Sequence, residues 1–326
     1  MKFSYKLMLK WTAVAAGASL LIVGGLLWYF YHSAEQTVAK MHKDIKSTKP
    51  IYVSKDAEVS RSTTTALLQS NKGNDQGKVN GLAPFTVLML GVDQREHDRG
   101  RSDTMIVLAV NPQKKSVLMF NIPRDTRVVI PGRSGMDKIN HAYAYGGVEL
   151  SIGTVEQFLD YPIDYYVKAN MEGFTHIIDM IGGVQVNSPM AFQYEGTSFD
   201  KGLLQLNGED ALKYCRMRYD DPRGDLGRNA RQRAVIQSVM HNAVSLSGIT
   251  HFRGMLSELG DSVKTNMTFD QMKKLISNYK PQTERFTTTE ISGTGSMIGG
   301  LWYYMVNDTE RARIHNQLKE ELLKMN

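Results

Sequence analysis

The chain has 326 residues, 42% hydrophobic and 22% charged, with a formal net charge of +6. That composition belongs to one large globular domain or two small ones and excludes a disordered protein. A single cysteine, Cys215, excludes an intramolecular disulfide and any centre held by a cysteine cluster.

In chain order, the first element is Trp11–Tyr31, WTAVAAGASLLIVGGLLWYFY, twenty-one residues without a charge. As a helix it spans about 31 Å, the thickness of a bilayer core, and it reads as a transmembrane anchor. The small residues of AVAAGAS suit a cleaved signal peptide, but the apolar run outlasts a signal core. Lys2, Lys6 and Lys10 precede it, so residues 1–31 form a cytoplasmic tail and anchor and the rest faces outward, as a single-pass type II protein of the cell surface. Residues 32–82 are polar, end in SNKGNDQGKVNGL and read as a stalk. Their GNDQGKVN is one residue short of a phosphate-binding loop and lacks the Ser or Thr after its lysine.

The remaining residues, 83–326, form one expected globular domain. FTVLMLGV, TMIVLAV and SVLMFNI are apolar runs typical of strands buried on both faces, the last two joined as a hairpin by NPQKK. Helical spacing follows in VELSIGTVEQFLDY, then a strand in DYYVKA and a helix in FTHIIDMI stopped by Gly182 and Gly183. Two amphipathic helices, NARQRAVIQSVMHNAVSLSG and TFDQMKKLISNYK, a strand RFTTTEIS and a helix from about Asp308 complete the chain. The alternation predicts an α/β fold, a three-layer helix, sheet, helix sandwich with a mixed central sheet.

Tyr214–Arg233, YCRMRYDDPRGDLGRNARQR, gathers six arginines and three aspartates. With Asp225 as helix N-cap, Arg228, Arg231 and Arg233 fall in the first turns, where cations oppose the helix dipole unless an anion is shared there. Arg228 and Gln232 share a helical face, and Arg216 and Arg218 point the same way if that piece is extended. Guanidinium forks in such a place suit phosphate oxygens better than a solvated surface. Two further loops carry ionisable groups at strand ends: GVDQREHDRGRSDT with Asp93 and Asp103, and NIPRDTRV with Arg124, Asp125 and Arg127. Two carboxylates beside arginines fit Mg²⁺ shared with phosphates, and surface salt bridges are the alternative. No GxSxG or HExxH occurs, and the histidines are scattered. Cys215, between Tyr214 and Arg216, reads as a packed small residue in preference to a thiol acidified by its neighbours.

The motif order LGVDQREHDRGRSDTM, NIPRDTRV, KINHAYAYGG, IIDMIGGV and LNGEDALKYCRMRYDDPRGDLGRNARQR, behind a short tail and one membrane helix, resembles the LytR-CpsA-Psr family of cell-wall polymer ligases. Within it, the chain is most similar to enzymes that attach wall teichoic acid in bacilli and staphylococci. The resemblance implies transfer of a glycopolymer phosphate from an undecaprenyl-pyrophosphate carrier to a peptidoglycan hydroxyl. It implies magnesium on Asp93 and Asp103, phosphate contacts from Arg124, Arg127, Arg216, Arg218, Arg228 and Gln232, and Lys138 at the same rim. Asp93, Asp103, Arg124 and Arg127 are the expected catalytic set. Leu226 stands where the family usually has Phe. A polyprenyl tail also requires an apolar groove, with Val155, Phe158, Leu159, Val235, Ile236, Val239 and Met240 as expected walls. No nucleic-acid partner is expected of an outward domain, so a membrane-bound transcription regulator is the weaker alternative. Hydrolysis of the lipid pyrophosphate, with water as acceptor, is the other alternative.

Overall fold

The computed structural model describes residues 38–44, 83–93, 100–245, 262–272 and 285–323, with the single positions 28, 32, 35, 36 and 259. The expected membrane helix, most of the stalk and most of TFDQMKKLISNYK lie outside these residues. No helix among the described residues is long and apolar enough to cross a membrane.

Strands β1 (Phe85–Val92), β2 (Ser102–Asn111) and β3 (Ser116–Asn121) form an antiparallel meander at the centre. Their residues alternate between two buried faces. Leu88, Leu90, Val107, Leu118 and Phe120 enter one core cluster, while Val87, Ile106, Leu108, Val117 and Met119 enter another. This two-sided burial is why the runs read as continuously apolar. A short hairpin, β4 (Arg127–Val129) and β5 (Met136–Lys138), leads into α1 (His141–Leu159), kinked at Gly146 and Gly147. Strand β6 (Tyr165–Asn170) then pairs in parallel with β1 and feeds α2 (Met171–Met180).

Two hairpins follow that the sequence reading did not foresee: β7 (Val184–Ser188) pairs with β10 (Gly202–Leu206), enclosing β8 (Phe192–Tyr194) and β9 (Thr197–Phe199). They carry few apolar residues and alternate buried with exposed. Helices α3 (Gly208–Arg216) and α4 (Asp225–Ser245) come next. Edge strands β11 (Val263–Thr265) and β12 (Arg285–Thr288) complete a six-stranded mixed sheet in the order β11-β6-β1-β2-β3-β12. A last hairpin, β13 (Thr294–Ile298) with β14 (Leu301–Met305), precedes α5 (Asp308–Leu322). Asn170, Asn207 and Asn307 cap α2, α3 and α5, each side chain accepting from a backbone N–H three residues on, about 1 kcal/mol apiece.

Helices α1 and α5 cover one sheet face through Val155, Phe158, Leu159, Ile314 and Leu318. On the other face Ile236 of α4 joins Val87 and Ile106. The fold is therefore mixed α/β with helices on both faces of a mixed sheet. Val38 and Met41, inside the expected stalk, are buried against Leu259 and Val263, and His42 bridges Thr265 at the β11 edge.

Candidate functional site

The site begins with an irregularity in pairing. Gly91 faces Thr104 and Val92 faces Ser102, so Asp103 is the extra residue of a β-bulge. A bulge re-aims the side chain it carries. Gly91 is required there, because a Cβ would lie 2.9 Å from the Cβ of Thr104. Asp93 follows directly on β1 and borders the same cavity as Asp103.

Asp103 holds Arg124, just past β3, at 3.0 Å, and its other oxygen accepts from Asn140 Nδ2 at 3.1 Å. Arg124 Nε also has Asp125 at 3.7 Å and Asp225 at 3.8 Å. Burial opposes the charge of Arg124, but Asp103, Asp225 and Asp125 together hold the guanidinium above its ordinary pKa. Arg228 meets Asp225 at 2.9 Å and donates to the Asp103 carbonyl at 3.3 Å. Its pKa moves the other way: burial lowers it, and the like charges of Arg124 and Arg218 add to the effect against Asp225 and Asp103. Gln232, one turn on, donates to Thr104 Oγ1 at 2.9 Å and accepts from Asn121 at 3.0 Å.

The N–H groups at Nε of Arg124, Arg127 and Arg228 are buried without a hydrogen-bond partner in the protein. A buried unmet donor costs about 1–3 kcal/mol, more on a charged group, so a cluster of them signals an acceptor that comes from outside. Phosphate oxygens match that need.

A cavity of about 360 Å³ lies against Arg124 and Arg228. Asp93, Asp103, Arg124, Arg216, Arg228 and Gln232 border it, and the rest of its wall is mainly apolar, from Met89 and Ile106 of the sheet, Phe174 and Ile177 of α2, Leu212 of α3, and Ile236 and Val239 of α4. The expected groove is present, with two corrections. Val155, Phe158 and Leu159 do not wall it, because α1 packs them into the core on the opposite sheet face. Val235 and Met240 are also turned away, into packed clusters, and α2 supplies the wall instead. The signal for α2 was the pair Ile177 and Ile178, apolar on adjoining faces of a short helix.

Two other expectations are corrected. Asp225 is not the N-cap: Arg228 N–H donates to the Gly224 carbonyl, which puts Asp225 inside the first turn. Arg216 and Arg218 do not share an extended strand, since Arg216 is the last residue of α3 and Met217 its C-cap. Arg216 borders the cavity and pairs with Glu195 at 3.3 Å, while Arg218 stacks on Tyr219. Cys215 is the packed small residue expected: it is buried beside Tyr214, and burial pushes its thiol up to about 12 against Arg231 and Arg228. Arg127 and Lys138 are cross-strand partners outside the cavity lining, and Lys138 reaches Asp125 at 2.7 Å. Asn140, Asn121 and Thr104 were not assigned from sequence, since a single short polar residue at the end of a strand or before a helix carries no periodic signal.

Among the described residues no group of three or more His, Cys, Asp or Glu could hold a metal alone. Two carboxylates beside unmet guanidinium donors fit a hard cation that completes its shell with phosphate oxygens and water.

A model of the LytR_cpsA_psr family matches residues 28–320. The polyisoprenyl-teichoic acid–peptidoglycan teichoic acid transferase TagU of Bacillus subtilis is 44% identical over 308 residues, 94% of either chain. Its Oceanobacillus iheyensis counterpart is 42% identical over 92% of this chain and 89% of its own. The crystal structure of B. subtilis TagU superposes with a TM-score of 0.62, covering 75% of this chain and 99% of that one. A structure of TagT bound to LIIa-WTA, 29% identical, gives 0.64 over 76% and 94%. With bulged aspartate, guanidinium cluster and apolar cavity in one place, the chain belongs to the LytR-CpsA-Psr family.

Proposed function

We propose that the chain is a transferase that moves an anionic glycopolymer of the teichoic acid type from a polyprenyl-pyrophosphate carrier onto peptidoglycan. The observation that carries this reading is the set of buried, unmet guanidinium N–H groups of Arg124 and Arg228 beside an apolar cavity. A lipid pyrophosphate is the ligand that needs both at once. The relatives named as teichoic acid transferases support it.

An acceptor hydroxyl attacks the phosphorus that bears the glycopolymer, forming a phosphodiester. The bridging P–O bond breaks, polyprenyl phosphate leaves, and the hydroxyl proton is released. Phosphoryl transfer depends chiefly on positioning and on neutralising charge. Arg124 and Arg228 would grip the pyrophosphate, Arg216 and Arg218 would add charge around it, and Gln232 would orient Thr104 and Arg228's face of α4. Arg127 and Lys138 extend the positive rim beyond the cavity. Asp93 and Asp103 would hold magnesium, which when bound supplies charge to the pyrophosphate oxygens. Asn140 keeps the Asp103 carboxylate in place. The apolar wall would take the first isoprene units, each buried methylene contributing about 0.8 kcal/mol. The uncharged Trp11–Tyr31 behind three lysines supports a membrane anchor with the domain outside the cell.

The test is turnover of a synthetic lipid-pyrophosphate donor with purified peptidoglycan. The expected product is polymer-linked peptidoglycan, lost in Asp103→Asn and on chelation and restored by magnesium. Free polymer phosphate with no attachment would establish a hydrolase instead.

A further inference from the structure

Two hairpins beside the site carry apolar residues on their outside. In β13–β14, Met297 is 65% exposed, Leu301 54% and Trp302 43%, flanking a tight Gly299–Gly300 turn with φ of 57° and 76°. In β4–β5, Val129 and Met136 face each other across the pair and are also exposed. A parallel bridge between Thr126 and Tyr304 joins the two hairpins, and Tyr304 N–H donates to the Asp125 carbonyl at 2.9 Å. This surface is therefore rooted in the Arg124–Arg127 segment that supplies the phosphate site.

Side chains of this kind are normally withdrawn from an edge hairpin, and a cluster of them in water marks a contact surface. Its chemistry is mixed. Arg127 and Lys138 lie 5.7 and 5.9 Å from the ring of Tyr303, which is buried at the root of the hairpin while its neighbour Trp302 points to the other face and is exposed. Arg127 has no ion-pair partner among the described residues. Exposed apolar and aromatic side chains on the hairpins, with a cation lacking a carboxylate partner at their root, suit a polymer of sugar rings, with apolar C–H faces and acetyl methyls, that also bears carboxylates.

We propose that the β4–β5 and β13–β14 hairpins form the docking platform for the peptidoglycan acceptor, with Trp302 stacking on a sugar ring and Arg127 facing a stem-peptide carboxylate. The proposal rests on the transferase reading and adds where the acceptor lies. Position favours this occupant over a lipid surface. The segment that follows the expected membrane helix docks on β11, whereas the platform follows β12, the opposite edge of the sheet. Five strand spacings, about 24 Å, separate those edges.

The chain has three tryptophans, Trp11, Trp28 and Trp302. Full-length protein in nanodiscs with Trp11→Phe and Trp28→Phe thus reports on Trp302 alone. Soluble uncrosslinked peptidoglycan fragments should change its emission saturably, with no donor present. In the wild-type background Trp302→Ala should weaken fragment binding about tenfold and raise the acceptor KM, leaving donor affinity unchanged, and Trp302→Phe should restore most of it. Leu301→Ser should weaken binding less. An unchanged emission, equal fragment affinity in Trp302→Ala, or loss of binding to anionic vesicles with glycan binding intact would each overturn the platform. Fragment binding as expected, without transfer of polymer to it, would leave the platform standing and remove the transferase reading.

Discussion

Helix α4 shows two unlike sides within one turn. Arg231 faces α3, where it donates to the Tyr214 and Met217 carbonyls and pairs with Asp221, 2% exposed and with its donors met. It serves as a cation at the C-terminal end of α3, where the helix dipole favours one. Gly227 makes room for this arrangement, since a Cβ there would lie 1.9 Å from Asp221 Oδ2. Arg228, three residues earlier, is nearly as buried, yet its Nε lacks a partner and a second guanidinium stands nearby. The lesson is that arginine burial alone does not locate a phosphate site; the unmet donor does. Further along, Val235 packs among Tyr214 and Cys215 while Ile236 and Val239 border the cavity.

The largest expected effect is on the structural side. Arg231→Ala leaves Asp221 buried without its partner, which should cost about 3–5 kcal/mol in denaturant unfolding. A loss below 1 kcal/mol would put Arg231 with the functional residues. Arg228→Ala should do the reverse: transfer falls about 10²–10³-fold, while stability falls less than in Arg231→Ala, because relief of repulsion with Arg124 offsets part of the lost pair with the more exposed Asp225. A variant that unfolds but transfers normally when folded would erase the distinction.

This division was only half legible in the sequence. The contradiction of arginines at a helix start is visible in GRNARQR, and it points at the right helix. It does not say which arginine matters, because the partners of Arg231 are carbonyls at the end of α3, and Arg233 is met by Asn121 and Glu290, 57 residues away in sequence for the latter. Strands β1 to β3 were readable because both their faces are buried, and the loops carrying Asp93, Asp103 and Arg124 follow from strand ends. The bulge at Asp103 is a property of pairing between two strands, which neither strand shows alone. The hairpins from β7 to β10 are short and polar on one side, so their apolar content is too small to stand out.

A smaller effect separates the apolar parts of α4. Val239→Trp fills cavity space and should weaken binding of a long-chain polyprenyl donor about tenfold, roughly 1.4 kcal/mol, with a short-chain analogue bound as before. The matching change at Val235, fully buried in the packed cluster, should destabilise the fold by about 1–3 kcal/mol through overpacking. Binding measured by competition with both chain lengths checks the first, and thermal unfolding the second. Equal loss for both chain lengths would mean that the cavity does not hold the tail.

The smallest effect concerns a third side of α4, where Arg233 and Arg223 meet Glu290. Burial opposes the charge of Glu290, but hydrogen bonds from Arg223 and Arg233 outweigh it and hold its pKa below the usual carboxylate value. A carboxylate depressed in the folded state stabilises the fold above its unfolded pKa, about 4.3, and loses that contribution as the pH falls through the folded value. Glu290 is 36% exposed, so screening keeps the gain under about 1 kcal/mol. Glu290→Gln should therefore lower stability slightly at pH 7 and flatten the loss as the pH falls below about 4.3. It should not remove that loss, since Asp137 and Glu310 are depressed as well. High salt should shrink the difference between wild type and variant, because the pair is open to solvent. Transfer should stay near the wild-type rate. A strong loss of transfer at unchanged stability would move Arg233 from the supporting side of α4 to the side that handles phosphate.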